Sequence, residues 1–230
     1  RYDADMDIMH PLRHKMIEIA LDFLPLPHAQ ALKVLDLGFG TCAFSLRNME
    51  RYMNSELVGI DGSLSMLEIA NVRLREITHR VELVMSDFRA IPETLLNPNA
   101  FDVVISSYAL HHLDAHEKLA VLRSVVPAIR PGGWFLNADL VVADTPDIEK
   151  RIQEIRVEAV TQRAPVHDRR FCSPAATRQY LEELEEVEQD QPQTLTEDIR
   201  VLRESGIKNA EVLWKELREV VIGGWKTGAT

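Results

Sequence analysis

The sequence predicts a doubly wound α/β fold, in which helices cover both faces of a mostly parallel β-sheet. Between residues 30 and 142, short apolar runs alternate with segments of helical periodicity. The first run, residues 33–37, breaks directly into a glycine-rich turn, as the first strand of such folds does. The chain has 230 residues, of which 46% are hydrophobic, and can therefore bury the core of one such domain.

The elements of the first half follow from periodicity and from the positions of proline and glycine. Apolar side chains at helical spacing between Met9 and Leu24 predict an N-terminal helix, which Pro25 ends. The stretch 89–100 contains two prolines and is predicted to be a loop. The other predicted elements are a strand at 33–37, a helix ending near residue 50, a strand at 56–60, a helix at 63–75 and a strand at 81–85.

The second half begins with the same alternation and then departs from it. Residues 146–205 lack a strand pattern and are predicted to form two or three helices. Cationic and aromatic residues at 163–171 are candidates for recognising an acidic substrate, or are only solvated surface. The remaining predicted elements are a strand at 101–106, a helix at 115–129, a strand at 134–142, and an antiparallel pair at 209–217 and 219–223. We expect a single domain over 1–230, with an N-terminal helical segment at 1–29, a core at 30–145, a helical insertion at 146–205 and the strand pair within 206–230.

An aspartate lies at the end of each of the first three predicted strands. Asp36 comes two residues before Gly38, and a charge at the end of a buried strand is costly unless a cation or hydrogen-bond donor meets it. Asp61 lies 23 residues beyond Gly38, near the spacing at which an acid reaches a ribose diol. Asp87 is followed by the aromatic ring of Phe88. Each aspartate alone could cap the next helix, but three behind a glycine turn favour a nucleotide site.

Together these motifs resemble those of the class I S-adenosylmethionine (SAM) dependent methyltransferases, in the same order and over residues 30–142. The matching segments are Val34–Thr41, Val58–Asp61, Ser86–Phe88, Phe101–Leu113 and Arg130–Gly133. The resemblance implies a Rossmann-like sheet of seven strands, mostly parallel with an antiparallel C-terminal hairpin, and an insertion at 146–205 that caps the substrate. Cys42 stands where the family usually has a third glycine, so a slightly altered turn is expected.

The resemblance also implies SAM as the cofactor and suggests a role for each matching residue. Gly38 and Gly40 would admit the amino-acid end of SAM, and Asp36 would act on its ammonium group. Asp61 would hold the ribose, and Asp87 would accept a hydrogen bond from the adenine amino group. The other expected cofactor contacts are Gly62, Phe88, Ser107 and Arg13, the last toward the SAM carboxylate unless it is an ordinary surface arginine.

Two histidines follow the fourth predicted strand, where chains of this family pass beside the reactive methyl group. His112 matches a position that serves as a base in some small-molecule methyltransferases, and a neutral imidazole can take a proton near pH 7. The alternative is that His111 and His112 only pack or lead into the next helix. The expected reaction is methyl transfer to a small-molecule acceptor by in-line displacement, with His112 as the candidate catalytic residue.

Composition narrows the expected partners. The formal net charge of −10 disfavours DNA or RNA, because binding to polyanions depends mainly on lysine and arginine. There is no apolar run of membrane-spanning length and no signal-peptide pattern, so a soluble, cytoplasmic protein is expected. The two cysteines show no metal-binding spacing, and no metal is expected. The sequence leaves the oligomeric state open, a homodimer included.

Two other functions stay open on the sequence alone. Gly38–Ala43 also satisfies the Gly-x-Gly-x-x-Gly/Ala pattern of NAD-dependent oxidoreductases. Against this, dinucleotide-binding folds usually keep an apolar residue at the position of Asp36, and the chain has no clear second catalytic domain. The non-enzyme alternative is a SAM-binding partner protein that has kept the site without turnover.

Overall fold

A computed structural model describes residues 2–228 and contains one seven-stranded sheet with helices on both faces, which confirms the predicted fold class. The strands are β1 (Lys33–Leu37), β2 (Glu56–Asp61), β3 (Val81–Met85), β4 (Phe101–Ser107), β5 (Ile129–Leu140), β6 (Glu211–Glu216) and β7 (Glu219–Trp225). The helices are α1 (Tyr2–Met9), α2 (Arg13–Asp22), α3 (Ala43–Arg51), α4 (Leu64–Arg73), α5 (Ala115–Val125), α6 (Pro146–Arg163), α7 (Pro174–Glu188) and α8 (Leu195–Ser205). No helix among residues 2–228 is both long enough and apolar enough to span a bilayer.

The strand order places a cleft beside the middle of the sheet. The order is β3-β2-β1-β4-β5-β7-β6, and β7 alone runs in the direction opposite to the other six strands. The chain moves outward from β1 to β2 and β3, then returns to place β4 on the other side of β1. Ligands of open α/β sheets bind where the order reverses, at the carboxyl ends of the strands. Here that point lies between β1 and β4.

The sheet is buried on both faces because side chains along β1 alternate between two apolar clusters. Leu35 and Leu37 pack on one face, whereas Val34 packs on the other with the apolar side of α2. Met16 and Ile17 supply that side of α2 and are fully buried. The glycine turn after β1 is therefore attached to a rigid central strand.

The N-terminal segment differs from the prediction. The single helix expected from Met9 to Leu24 is wrong, because the chain forms α1 and α2 with a break at His10 and Pro11. Proline lacks the N–H that a helix interior needs and disfavours helical conformation in the residue before it. The break allows α1 to leave the face of the sheet and contribute Tyr2, Met6 and other residues to a cavity at the carboxyl ends of the strands.

The insertion divides into two parts. Helix α8 packs against α5, where Val201 and Leu202 enter the core beside the sheet. A buried ion pair of 2.6 Å joins Lys118 on α5 to Asp198 on α8. Within the insertion, α6, α7 and the chain just after α7 line the cavity, as far as Asp190. The part of the predicted cap that covers the cavity is therefore roughly the first three quarters of residues 146–205. Helix α5 ends at Val125, earlier than predicted, and the 89–100 stretch contains two short 3-10 turns.

Candidate active site

The turn after β1 contains three residues in the left-handed backbone region. The φ angles of Gly38, Gly40 and Cys42 are 77°, 52° and 63°. A Cβ added at Gly38 would lie 2.3 Å from the Cβ of Ala109, so only glycine fits there. Cys42 is buried, precedes α3, and donates its backbone N–H to the Phe39 carbonyl at 2.7 Å. The cysteine thus adopts the conformation that a glycine would adopt with less strain.

Asp36 lies under this turn with only 1% of its surface exposed. Ser45 donates its hydroxyl to Oδ2, whereas Oδ1 is buried and has no hydrogen-bond partner. Burial raises the pKa of Asp36 to about 7; the hydrogen bond from Ser45 opposes this rise, and the charge of Asp61 adds to it. A buried carboxylate oxygen without a partner costs free energy that a ligand cation could recover.

Asp61 joins the turn after β1 to the turn after β2. Its Oδ2 accepts the backbone N–H of Gly40 at 2.8 Å, and its Oδ1 accepts that of Ser63 at 2.8 Å. An ionised carboxylate offers about four lone pairs, so two remain for a further ligand. Asp61 and the adjacent Gly62 both line the cavity. The structure therefore brings Asp36, Asp61 and the glycine turn together.

The third aspartate is not brought into the cavity wall. Asp87 precedes the short 3-10 turn Phe88–Ala90 and accepts the backbone N–H of Arg89 at 2.7 Å. Its side chain is 56% exposed and does not line the cavity. Phe88 does line it, and the ring lies close to Gly38. Asp87 thus acts as the N-cap of this turn. A hydrogen bond from Asp87 to adenine stays a prediction, and it would require the side chain to rotate toward the cavity.

Arg13 lies at the cavity wall but is already paired. Its guanidinium is 3.0 Å from Asp3 and 3.5 Å from Asp7, and its Nε is buried without a partner. Asp3 also accepts the Thr41 hydroxyl at 2.9 Å and pairs with Arg73. These contacts hold α1 across the glycine turn. Arg13 is thus buried rather than an ordinary surface residue, and its contact with the SAM carboxylate stays a prediction.

These elements enclose a cavity of about 450 Å³, a size typical of small-molecule sites. Helices α1, α6 and α7 form its roof and share an apolar cluster. The buried members are Met6, Met9, Val157, Val160, Phe171 and Leu181. Arg170 clamps the roof by contacting both carboxylate oxygens of Asp5, at 2.7 and 2.9 Å, and also pairs with Asp168 at 2.7 Å. Arg170 therefore holds the roof together and does not itself line the cavity, and recognition of an acidic substrate by residues 163–171 stays a prediction.

The segment after β4 supplies the wall that includes Ser107 and Tyr108. Both residues line the cavity, and Tyr108 has a left-handed backbone with φ of 47°. The Tyr108 hydroxyl donates to Glu219 at 2.8 Å, and its ring packs against His10 with centroids 4.8 Å apart. Tyr108 is consequently fixed by protein contacts and presents its ring edge or backbone to the cavity.

The two histidines of this wall have different surroundings. His111 is 4% exposed, and its Nδ1 lies 2.6 Å from Oδ1 of Asp139. His112 is more open, with 35% of its side chain exposed, and its Nδ1 lies 2.9 Å from Oδ1 of Asp190. Burial alone would lower the pKa of His111, but the charges of Asp139 and Asp190 raise it to about 9. Both histidines line the cavity, and His112 is the more exposed of the two.

Sequence reasoning missed several charged residues of the site. Asp190 and Glu188 reach the cavity from the end of α7, and Arg156 reaches it from α6. Asp139 lies behind His111 on β5. Of these four, only Asp139 carried a signal, since an acid inside an apolar strand requires a partner. The others belong to an ordinary charged helical pattern.

Comparison with known proteins identifies the central part of the chain. Residues 34–133 match a family model described as a methyltransferase domain. A carboxy-S-adenosyl-L-methionine synthase of Nautilia profundicola is 23% identical over 214 residues, which cover 93% of this chain and 86% of that protein. An uncharacterized methyltransferase of Geobacillus kaustophilus is 30% identical over 123 residues, covering 54% of each protein. The chain thus spans most of the first relative and about half of the second.

The fold also has close counterparts among solved structures. The YcgJ protein of Bacillus subtilis superposes with a TM-score of 0.67 at 15% sequence identity. The superposition covers 94% of this chain and all of that one. The observed sheet and its antiparallel hairpin are therefore an architecture shared across very different sequences.

Proposed function

We propose that this protein, which is a class I SAM-dependent methyltransferase, transfers the SAM methyl group to a small-molecule acceptor inside the cavity. The observation that carries the small-molecule assignment is the roof formed by α1, α6 and α7 over a cavity of about 450 Å³. A roofed cavity of this size suits a small acceptor better than a nucleic acid or a folded protein, and the net charge of −10 adds to the case against nucleic acid.

The residues present fit SAM at its amino-acid and ribose ends. The unpartnered Oδ1 of Asp36 would accept a hydrogen bond from the ammonium group. Gly38 lets the turn pack closely on Ala109, and Gly40, where an added Cβ would meet only the Gly38 carbonyl at 3.9 Å, leaves open space beside the turn. Asp61 would bind the ribose hydroxyls through lone pairs that its two backbone donors leave free. SAM supplies a methyl group already activated by the sulfonium charge.

At the acceptor end, the task of the protein is alignment and proton removal. An acceptor lone pair forms the new bond to the methyl carbon while the carbon–sulfur electron pair moves to sulfur, which leaves S-adenosylhomocysteine. The acceptor proton passes to Nε2 of His112, because Nδ1 faces Asp190. The roof excludes water and holds the acceptor in line, which supplies most of the acceleration such a reaction needs.

The test measures S-adenosylhomocysteine formation with three classes of acceptor. These are phenols and other small molecules with an acidic O–H group, small amines, and bulk RNA. We expect product only with small molecules, and a matched His112→Gln variant to lose turnover while its affinity for SAM is kept. Methylation of RNA, with none of any small molecule, would contradict the proposal. SAM binding without any turnover across the panel would favour the non-catalytic alternative.

A second candidate function follows from the carboxy-SAM synthase relative, which aligns with 93% of this chain. Its product has one more carboxyl group than SAM, and a carboxylate requires a cation nearby. Arg156 lines the cavity and forms an ion pair with Glu185, and it is the candidate cation for that carboxylate. Mass spectrometry of SAM after incubation with the protein and small carboxylic acids decides between the two: carboxy-SAM supports the second function, and S-adenosylhomocysteine supports the first.

A further inference from the structure

Three side chains of ligand type converge at the acceptor end of the cavity. His111, His112 and Asp190 each offer one atom, and these atoms lie within 4.8 Å of one another. Oδ1 of Asp190 lies 2.9 Å from Nδ1 of His112 and 3.4 Å from Nε2 of His111. Ligands about 2.1 Å from a metal are separated by about 3.0 Å at right angles and about 3.4 Å in a tetrahedron. Both distances match neighbouring positions of one coordination sphere.

Two of the three atoms that would bind are buried and lack a hydrogen-bond partner. Nδ1 of His112 and Oδ1 of Asp190 are both out of contact with solvent, and their geometry does not form a hydrogen bond. The Asp190 side chain is only 8% exposed. Buried polar atoms without a partner are rare in native proteins and call for an unseen ion, water or ligand. Protonated histidines would pair with Asp190 as ions, and a divalent cation would supply the same positive charge to the carboxylate.

A carboxylate behind His111 sets the ring in the orientation that metal binding requires. Oδ1 of Asp139 lies 2.6 Å from Nδ1 of His111, which leaves Nε2 directed toward Asp190. Metal-binding histidines almost always donate their other ring N–H to a carboxylate or carbonyl. Asp139 is itself held by the backbone N–H of Leu140 at 2.9 Å and the Asn137 amide at 3.3 Å.

The main chain places Asp190 beside the histidines. Helix α7 ends at Glu188, and the left-handed conformation of the next residue, Gln189, with φ of 57°, turns the chain toward the segment after β4. The backbone N–H of Gln191 then donates to the His111 carbonyl at 2.7 Å. The Gln193 side chain donates to the Leu113 carbonyl at 3.0 Å. The backbone N–H of Asp190 itself donates to the Glu185 carbonyl at 2.9 Å, so the main chain that carries the carboxylate is held beside the histidines.

We propose that His111, His112 and Asp190 bind one divalent transition-metal ion whose open coordination positions face the cavity, with Asp139 as a positioning residue. Two histidines and one carboxylate suit Fe²⁺, Zn²⁺, Mn²⁺ or Co²⁺. The ion would bind an oxygen of the acceptor and polarise it as a Lewis acid, which selects phenol, enol or carboxylate acceptors. His112 would then be a ligand and not the base.

This inference goes beyond the proposed function, because metal binding is measured without any methyl transfer. The expectation from sequence that no metal binds came from cysteine and histidine spacing. That spacing cannot reveal a site whose carboxylate comes from a distant helix end.

The experiment titrates the full chain, after treatment with a chelator, with Zn²⁺, Mn²⁺, Co²⁺ and anaerobic Fe²⁺ by calorimetry. Metal content is measured in parallel, and Co²⁺ is also followed by its visible absorption. We expect one ion per chain, bound at micromolar concentration or tighter by at least one metal. Failure of all four metals to bind stoichiometrically would overturn the proposal.

Matched variants locate the bound ion. His112→Gln and Asp190→Asn should weaken binding by at least a hundredfold, and Asp139→Asn by about 10- to 100-fold. Exposed controls on the neighbouring helices, His116→Gln and Glu186→Gln, should bind as the native chain does. Because His112 is partly exposed, its variant is expected to fold even if the Asp190 variant does not. Metal binding that both ligand variants keep would overturn the assignment to these residues.

The same samples separate this inference from the proposed function. SAM affinity is measured on the metal-free and metal-loaded chain. Metal binding without SAM binding would contradict the methyltransferase site and leave the metal site standing. SAM binding and turnover that are unchanged by chelation, with no stoichiometric metal, would retain the base role of His112 and refute the metal site.

Discussion

Replacing Asp36 by asparagine should stabilise the ligand-free protein while weakening its binding to SAM. Burial raises the pKa of this carboxyl to about 7, from its ordinary value of 3.8. The folded state therefore holds a proton that the unfolded chain releases, and folding loses stability as the pH rises from about 4 to about 7. At about 1.4 kcal/mol for each unit, the loss above pH 7 is about 4 kcal/mol. Asparagine keeps an oxygen for the Ser45 hydroxyl but carries no charge to bury.

The assay is urea unfolding of both proteins between pH 4 and pH 8. The difference in unfolding free energy, Asp36→Asn minus native, should grow by up to about 4 kcal/mol from about pH 4 to about pH 7 and level off toward pH 8. Comparing the two proteins at each pH removes the contribution of every other titrating group. Glu56→Gln, which changes an exposed acid at the start of the adjacent strand, serves as the control and should show no such trend.

The same substitution should weaken the binding of SAM, although it stabilises the ligand-free protein. At pH 6 only about a tenth of the native Asp36 is ionised, so SAM affinity should be roughly tenfold weaker than at pH 8. The asparagine variant should lose this dependence and bind roughly 10- to 150-fold more weakly at pH 8, as expected when a charge-assisted hydrogen bond is lost. The ionisation of SAM affects both proteins equally. A stability difference that is flat with pH, or an unchanged SAM affinity, would refute the role given to Asp36.

Three further predictions test other parts of the molecule. Asp61→Ala should weaken SAM binding by about 1 to 3 kcal/mol in calorimetry, and an unchanged affinity would remove Asp61 from the ribose site. Arg170→Gln, which opens the clamp on Asp5, should accelerate SAM release by about 5- to 30-fold if the clamp contributes 1 to 2 kcal/mol; equal stopped-flow rates would exclude a closing role for the clamp. Asp198→Asn should cost about 3 to 5 kcal/mol in urea unfolding by leaving Lys118 buried and unpaired, and a loss below about 1 kcal/mol would show that this pair does not hold α8.

The parts of the site that follow strand ends could be predicted from sequence, because a parallel sheet brings its carboxyl ends to one edge. Asp36 and Asp61 meet the glycine turn for this reason. Asp87 does not, because a neighbouring backbone N–H satisfies it outside the cavity. The meeting of Asp190 with His112 depends on a backbone contact between segments far apart in the chain, and no periodicity or motif encodes such a contact. Pro11 is a signal for a helix break, but the apolar residues keep helical spacing across it. That spacing predicted one continuous helix where the structure has two.

The structure also changes what a lid over this site must do. If the cofactor contacts lay only at the strand ends, loosening the insertion would leave most of the SAM affinity unchanged. Helix α1 breaks that separation, because Asp3 binds the glycine turn through Thr41 while Asp5 binds the insertion through Arg170. One short helix is therefore fastened to both the cofactor turn and the acceptor roof. We therefore expect opening of the roof to disturb the contacts beside SAM, and SAM binding to favour the closed roof by the same free energy. In this expectation α1 is the element that couples the two sites.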